Sequence, residues 1–115
     1  MRQIQDYWAP VVGEFELLVL LALVRLGNGA YGAAILREVQ ERTGREIAIG
    51  ALYMTLARLE AKQMVCSYTG EPTKQRGGRR RKHYLMDTAG RQALGRAYRT
   101  LKSMEEGIER ELEAM

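Results

Sequence analysis

The chain has one cysteine, Cys66, and one histidine, His83, among its 115 residues. A lone cysteine excludes an internal disulfide and fits a reducing compartment. One Cys with one His also excludes a zinc site of ordinary ligand spacing within a single chain. Long apolar runs are missing too. The most apolar stretch, Phe15 to Leu26, contains Glu16 and Arg25 and falls short of the ~20 apolar residues that span a bilayer, so it reads as a core helix. No secretory leader pattern is visible, no nucleophile–base pair stands out, and the carboxylates gather near the C-terminus. A soluble cytoplasmic protein is expected, with no enzymatic activity, no cofactor, no metal and no membrane partner.

The length suggests one domain, large enough to bury roughly 60–70% of its unfolded surface. Apolar residues make up 46% and charged residues 28%, an ordinary globular balance. The formal net charge is +4 and the pI about 9.5, but the distribution says more. From Lys74 to Lys102 there are ten Lys or Arg against one acid, Asp87; beyond Lys102, five glutamates face only Arg110. A basic middle beside an acidic end suggests an anion-binding face and a separate surface with another task.

Residues 1–13 carry Pro10 and Gly13 with little periodicity, although Tyr7 and Trp8 are too large to sit idle on a solvated tail. A first helix is expected from Glu14 to Leu26, with Glu14 and Glu16 in its first turn, where the helix dipole favours negative charge, and Gly27 ending it. A second is expected from Tyr31 to Thr43, buried through Ile35, Leu36 and Val39 and stopped by Gly44. A third runs from Gly50 to Gln63. Leu52, Leu56 and Leu59 recur at helical spacing and face inward, while Ala51, Thr55, Arg58 and Lys62 recur on the same spacing and are expected to face out.

The period then changes. Met64 to Thr69 and Arg81 to Met86 read as two strands, joined by the loop Gly70 to Gly78, and so as a β-hairpin. A last helix starts near Asp87, a good N-cap residue, and is expected to run to the C-terminus, roughly 40 Å. Leu94, Leu101, Ile108 and Met115 recur every seven residues, with Tyr98, Met104 and Leu112 between them, a seam that needs a partner. The expected fold is therefore mainly α with a small β-hairpin: an N-terminal segment (1–13), a winged helix-turn-helix domain (14–87) and a long C-terminal dimerisation helix (88–115).

Duplex DNA is the partner such a chain suits. Binding it needs cations against phosphate and an element that enters the major groove. The third helix offers Gly50 for close backbone approach, small Ala51, then Thr55, Arg58 and Lys62. The hairpin loop offers Lys74, Arg76, Arg79 and Arg80. A solvated turn would look similar, but this run lies between two strands and follows a basic helix face. Tyr53 lies between the inner and outer faces. Leu94, Tyr98, Leu101, Met104, Ile108 and Leu112 are expected in the dimer interface. Trp8, Tyr98 and Leu101 are candidates to line a small-molecule cavity there. A protein-interaction adaptor that never touches DNA is the rival, motivated by the acidic end and the apolar seam.

Several short motifs stand in a specific order: Glu16-Leu17-Leu18, Tyr31-Gly32, Leu52-Tyr53 followed by Arg58-Leu59-Glu60, then Gly78-Arg-Arg-Arg-Lys-His-Tyr84 and Gly90. On these, residues 13–115 resemble the PadR family of bacterial transcriptional regulators, in its shorter subfamily with a single terminal helix. The resemblance implies a homodimer on a palindromic operator, usually a repressor, often released by aromatic or lipophilic effectors. It also implies that Tyr53 matches a recurrent tyrosine of the recognition helix. The chain departs from the family at Ala51, often Ser or Thr; at Arg80, often proline; and at Asp87, often threonine.

Overall fold

The computed structural model describes residues 12–70 and 81–115. Helix α1 spans Glu14–Leu26, the limits expected from its acidic first turn and terminal glycine. Glu16 reaches back to accept a hydrogen bond from the Gly13 amide at 2.9 Å, which satisfies one of the amide groups a helix start leaves open. Gly27 ends the helix at φ 85, a conformation that glycine adopts without steric cost.

Helix α2 (Gly32–Thr43) and helix α3 (Ile49–Ala61) form the helix-turn-helix. Gly44 closes α2 in the left-handed region, its amide donating to the Gln40 carbonyl at 2.8 Å. The Gln40 side chain then accepts from the Ile47 amide, so the connection is fixed by α2 itself. Leu52, Thr55, Leu56 and Leu59 are the buried positions of α3. The three leucines meet Val19, Leu20 and Leu23 of α1 and Ile35 and Val39 of α2 in one apolar cluster.

Strands β2 (Val65–Thr69) and β3 (Lys82–Met86) pair antiparallel from Val65 opposite Met86 to Thr69 opposite Lys82. The Gly70 amide bonds the Arg81 carbonyl at 2.8 Å and extends the pairing to the foot of the loop. This is the expected hairpin. A third strand was not foreseen: β1 (Ala30–Tyr31) pairs with the other edge of β3, giving the order β1-β3-β2. At two residues it is too short to leave a periodic signal.

Helix α4 (Thr88–Glu105) follows. Asp87 holds the N-cap position but makes no capping bond with its side chain; burial pushes the Cys66 thiol up, and the Asp87 carboxylate adds to it. Gly90 and Ala93 are the buried residues of α4. Gly90 allows a close approach, because a β-carbon there would collide with the Met64 carbonyl oxygen and lie 2.9 Å from Cγ of Met86.

The terminal helix does not continue to the C-terminus as expected. Gly107 takes φ 91 and the chain turns before a short helix α5 (Glu109–Glu113). The turn interrupts the seven-residue seam between Leu101 and Ile108. Leu94, expected in the dimer seam, packs against the core of its own chain. Tyr98, Leu101, Met104, Ile108, Leu112 and Met115 are exposed. The molecule measures 54 × 38 × 21 Å.

Candidate nucleic-acid interface

The outward face of α3 differs from the expected one. Thr55 is only 1% exposed; it sits among Leu52, Leu56 and Leu59 and accepts a hydrogen bond from the Arg58 guanidinium at 3.1 Å. Lys62 turns back into the domain and donates to both carboxylate oxygens of Glu16 at 2.9 Å. Neither belongs to a solvent-facing stripe. The physical reason is the spacing of Leu52, Thr55, Leu56 and Leu59 at i, i+3, i+4 and i+7, which is one helical face. The threonine goes in with the leucines, its hydroxyl satisfied by Arg58.

The exposed positions of α3 are Ile49, Gly50, Ala51, Tyr53, Met54, Ala57, Arg58 and Ala61. Gly50, Ala51 and Arg58 are thus at the surface, as expected, and Tyr53, read as lying between the two faces, is there too. Met54, at 65% exposure, was missed, since a methionine at helical spacing is ordinarily read as core. The helix start has no side-chain cap and no acid in its first turn, so its amides and the positive end of its dipole are available to an anion. The one acid on α3, Glu60, accepts from the Ser67 hydroxyl at 2.9 Å and lies 3.6 Å from the Lys82 ammonium. It therefore ties α3 to the hairpin.

Tyr53 is 44% exposed and lies over the first residue of α2. A methyl group on Gly32 would sit 2.7 Å from ring atoms Cε1 and Cζ of Tyr53. This accounts for Tyr31-Gly32 as a motif: glycine lets the tyrosine rest on the α2 backbone while one side of its ring stays in solvent.

At the foot of the hairpin, Nδ1 of His83 donates to the Gly29 carbonyl at 2.7 Å; a carbonyl can only accept, which fixes this nitrogen as the protonated one. The imidazole stacks on Tyr68 (5.0 Å between centroids, 13° between planes) and meets Tyr31 edge-on at 6.1 Å. The Arg81 guanidinium lies 4.5 Å over the Tyr31 ring. His83 thus anchors the hairpin to the turn before β1, and Arg81 is the exposed cation beside it. Lys74, Arg76, Arg79 and Arg80 lie outside the described residues, as does Trp8.

Burial alone would raise the Glu16 carboxyl. The Gly13 amide, the Lys62 ammonium and the Arg58 charge outweigh it and hold the group below its ordinary 4.5. Elsewhere on the surface, Arg25 and Arg42 share Glu38, and Arg45 pairs with Glu14. Among the described residues, Arg58 on α3 and Arg81 at the foot of the wing are exposed cations, the first bonded to the Thr55 hydroxyl and the second lying over the Tyr31 ring. Of the residues expected around an effector, Tyr98 and Leu101 are exposed on α4. An apolar groove of about 290 Å³ lies elsewhere, between α1 and α2, lined by Leu18, Leu21, Ala22, Val24 and Val39. No helix among the described residues is long and apolar enough to cross a membrane.

A family model described as the transcriptional regulator PadR-like family matches residues 20–96. Among solved structures, the chain is similar to a PadR family transcription regulator from Clostridium difficile R20291, with 26% identity and a TM-score of 0.71 over 87% of this chain and 99% of that one. It is similar to a PadR family transcriptional regulator from Eggerthella lenta DSM 2243, also 26% identical, with a TM-score of 0.65 over 89% of this chain and 88% of that one. It is 36% identical over 81 residues to an uncharacterized 37.1 kDa protein in transposon Tn4556 of Streptomyces fradiae; the match takes in 70% of this chain and 21% of that protein, so the chain spans about a fifth of that relative's length. With the family model matching residues 20–96, two thirds of its length, the chain belongs to the PadR-like family of transcriptional regulators.

Proposed function

We propose that the chain acts in the cytoplasm as a homodimeric repressor on a palindromic operator, and that a small aromatic or lipophilic molecule releases it. The observation that carries the DNA half is the exposed face of α3, free of unpaired acid and flanked by Arg58 and by the foot of the wing. Gly50, Ala51, Tyr53 and Arg58 make the groove contacts. Lys74, Arg76, Arg79 and Arg80 supply phosphate contacts from the wing loop. What supports the dimer is the set of apolar side chains left in solvent on α4 and beyond its turn: Tyr98, Leu101, Met104, Ile108 and Leu112. The effector is assigned to Trp8, Tyr98 and Leu101, where the N-terminal segment and α4 of two subunits would meet.

Three measurements test this. Light scattering should give twice the chain mass, and log K for duplex DNA should fall linearly with log salt at about 0.9 per phosphate neutralised. Half-sites should be one DNA turn apart, about 34–36 Å. A stable monomer, or an affinity indifferent to salt, would refute the proposal.

A further inference from the structure

We infer that α3 reads thymine through its 5-methyl group, and that Met54 is the side chain that reads it. This rests on α3 being the helix that enters the major groove. Successive residues of a helix turn by about 100°, so the ridge farthest from the core is Gly50, Met54, Ala57 and Ala61, all exposed. Three of the four are glycine or alanine. They let the helix backbone approach a groove floor closely, and they leave Met54 as the only long side chain on the ridge. Ile49 and Tyr53 flank it on one side, at 46% and 44% exposure; Ala51 and Arg58 flank it on the other.

The chemistry of this ridge is unusual for a groove-reading element. It carries no Arg, Lys, Asn or Gln, the residues that pair with guanine or adenine through two hydrogen bonds. Thymine alone presents an apolar group in the major groove, its methyl. Against any other base edge, Met54 would strip water from donors and acceptors and offer them nothing, which is a cost. Against thymine it buries methyl on thioether and on its own methylenes. Charge favours a nucleic acid as the occupant of this apolar face. Glu60 is engaged by Ser67 and Lys82, the helix start is uncapped, and Arg58 stands at the rim.

The full-length protein should select duplexes from a library with a randomised core of about 20 base pairs, enough for two half-sites one turn apart. The selected duplex is then resynthesised with deoxyuridine replacing one thymidine at a time, which removes a single methyl. Each methyl under α3 should be worth about fourfold in affinity, as for a buried methylene. Met54→Ala should abolish that penalty and leave the salt slope unchanged. Met54→Gln should move the preference at that base pair toward adenine. The inference is overturned if deoxyuridine is tolerated at every position of a selected duplex. It is overturned equally if Met54→Ala weakens self-association instead of base preference, for then a second copy covers the ridge. If no duplex binds even at low salt, the placement of α3 in the groove fails with it.

Discussion

Lys62→Met tests what the inward lysine does. In the wild type its ammonium lies 2.9 Å from both oxygens of Glu16, a residue 6% exposed. At an effective dielectric of about 20, charges this close attract by roughly 4–6 kcal/mol before desolvation is counted. Removing one partner of a buried pair typically costs about 3–5 kcal/mol, because the other charge stays buried. Here Glu16 keeps the Gly13 amide and the field of Arg58, so about 2–3 kcal/mol is expected, or roughly 10 °C in Tm. Urea denaturation at fixed protein concentration would measure it. The pH dependence gives a second check. The folded carboxyl titrates below its ordinary 4.5, so the stability it contributes is present above that pH and lost as pH falls through the folded value. In the variant the lowering by Lys62 is lost, so the carboxyl titrates higher than in the wild type. The deficit against wild type should then be largest near neutrality and shrink as Glu16 protonates on acidification. The salt slope of DNA binding should not change. An unchanged denaturation midpoint with a slope lower by about 0.9 would show that Lys62 meets phosphate, and the assignment of Lys62 to the core would be wrong.

Two further outcomes follow from the packing. Gly90→Ala should destabilise by about 2 kcal/mol despite the better helix propensity of alanine, because the new methyl meets the Met64 carbonyl of a backbone turn; calorimetry showing equal or higher Tm would contradict the contact between α4 and that turn. The buried Tyr84 hydroxyl is pushed up to about 12 by desolvation first, then by Glu60 and Tyr53. Its neutral form is favoured in the folded state, so stability should fall as pH rises from about 10, where the unfolded phenol ionises, and level off near 12. The loss should be roughly 2–3 kcal/mol, and Tyr84→Phe should remove this dependence in alkaline denaturation curves.

Much of the fold was legible because its elements obey strong local rules. Helix α1 appears at its expected limits because an acidic first turn and Gly27 bracket an apolar run. The hairpin appears because Val65, Tyr68 and Thr69 favour strand, and the two strands pair as expected. Three features escaped. Strand β1 is held by pairing to β3 and by the bond from His83 to Gly29, contacts between residues some 54 positions apart, so no local pattern announces it. The turn at Gly107 was hidden by an apolar repeat that continues through it. The signal was the glycine itself, which inside a helical pattern marks a place where the helix is weak. Asp87 was correctly placed at a helix start, but its side chain makes no capping bond there, which residue type alone does not decide.

The misreading of α3 carries the main lesson about the site. Counting the basic residues as outward put Ala51, Thr55, Arg58 and Lys62 on one stripe, which is a valid helical spacing. The leucines admit a second solution one step round, in which Thr55 joins them. The deciding fact is tertiary: α1 brings Glu16 to the edge of that stripe, and a buried carboxylate draws in the nearest ammonium. Once Lys62 is committed there, the solvent face rotates to the ridge of Gly50, Met54, Ala57 and Ala61. Among the described residues, positive charge beside this face is then left to Arg58 at its rim and Arg81 at the foot of the wing, while the centre of the face is apolar. On the reading proposed above, phosphates would be met by charge from the edges, and the bases would meet a surface that distinguishes them by shape and by the thymine methyl.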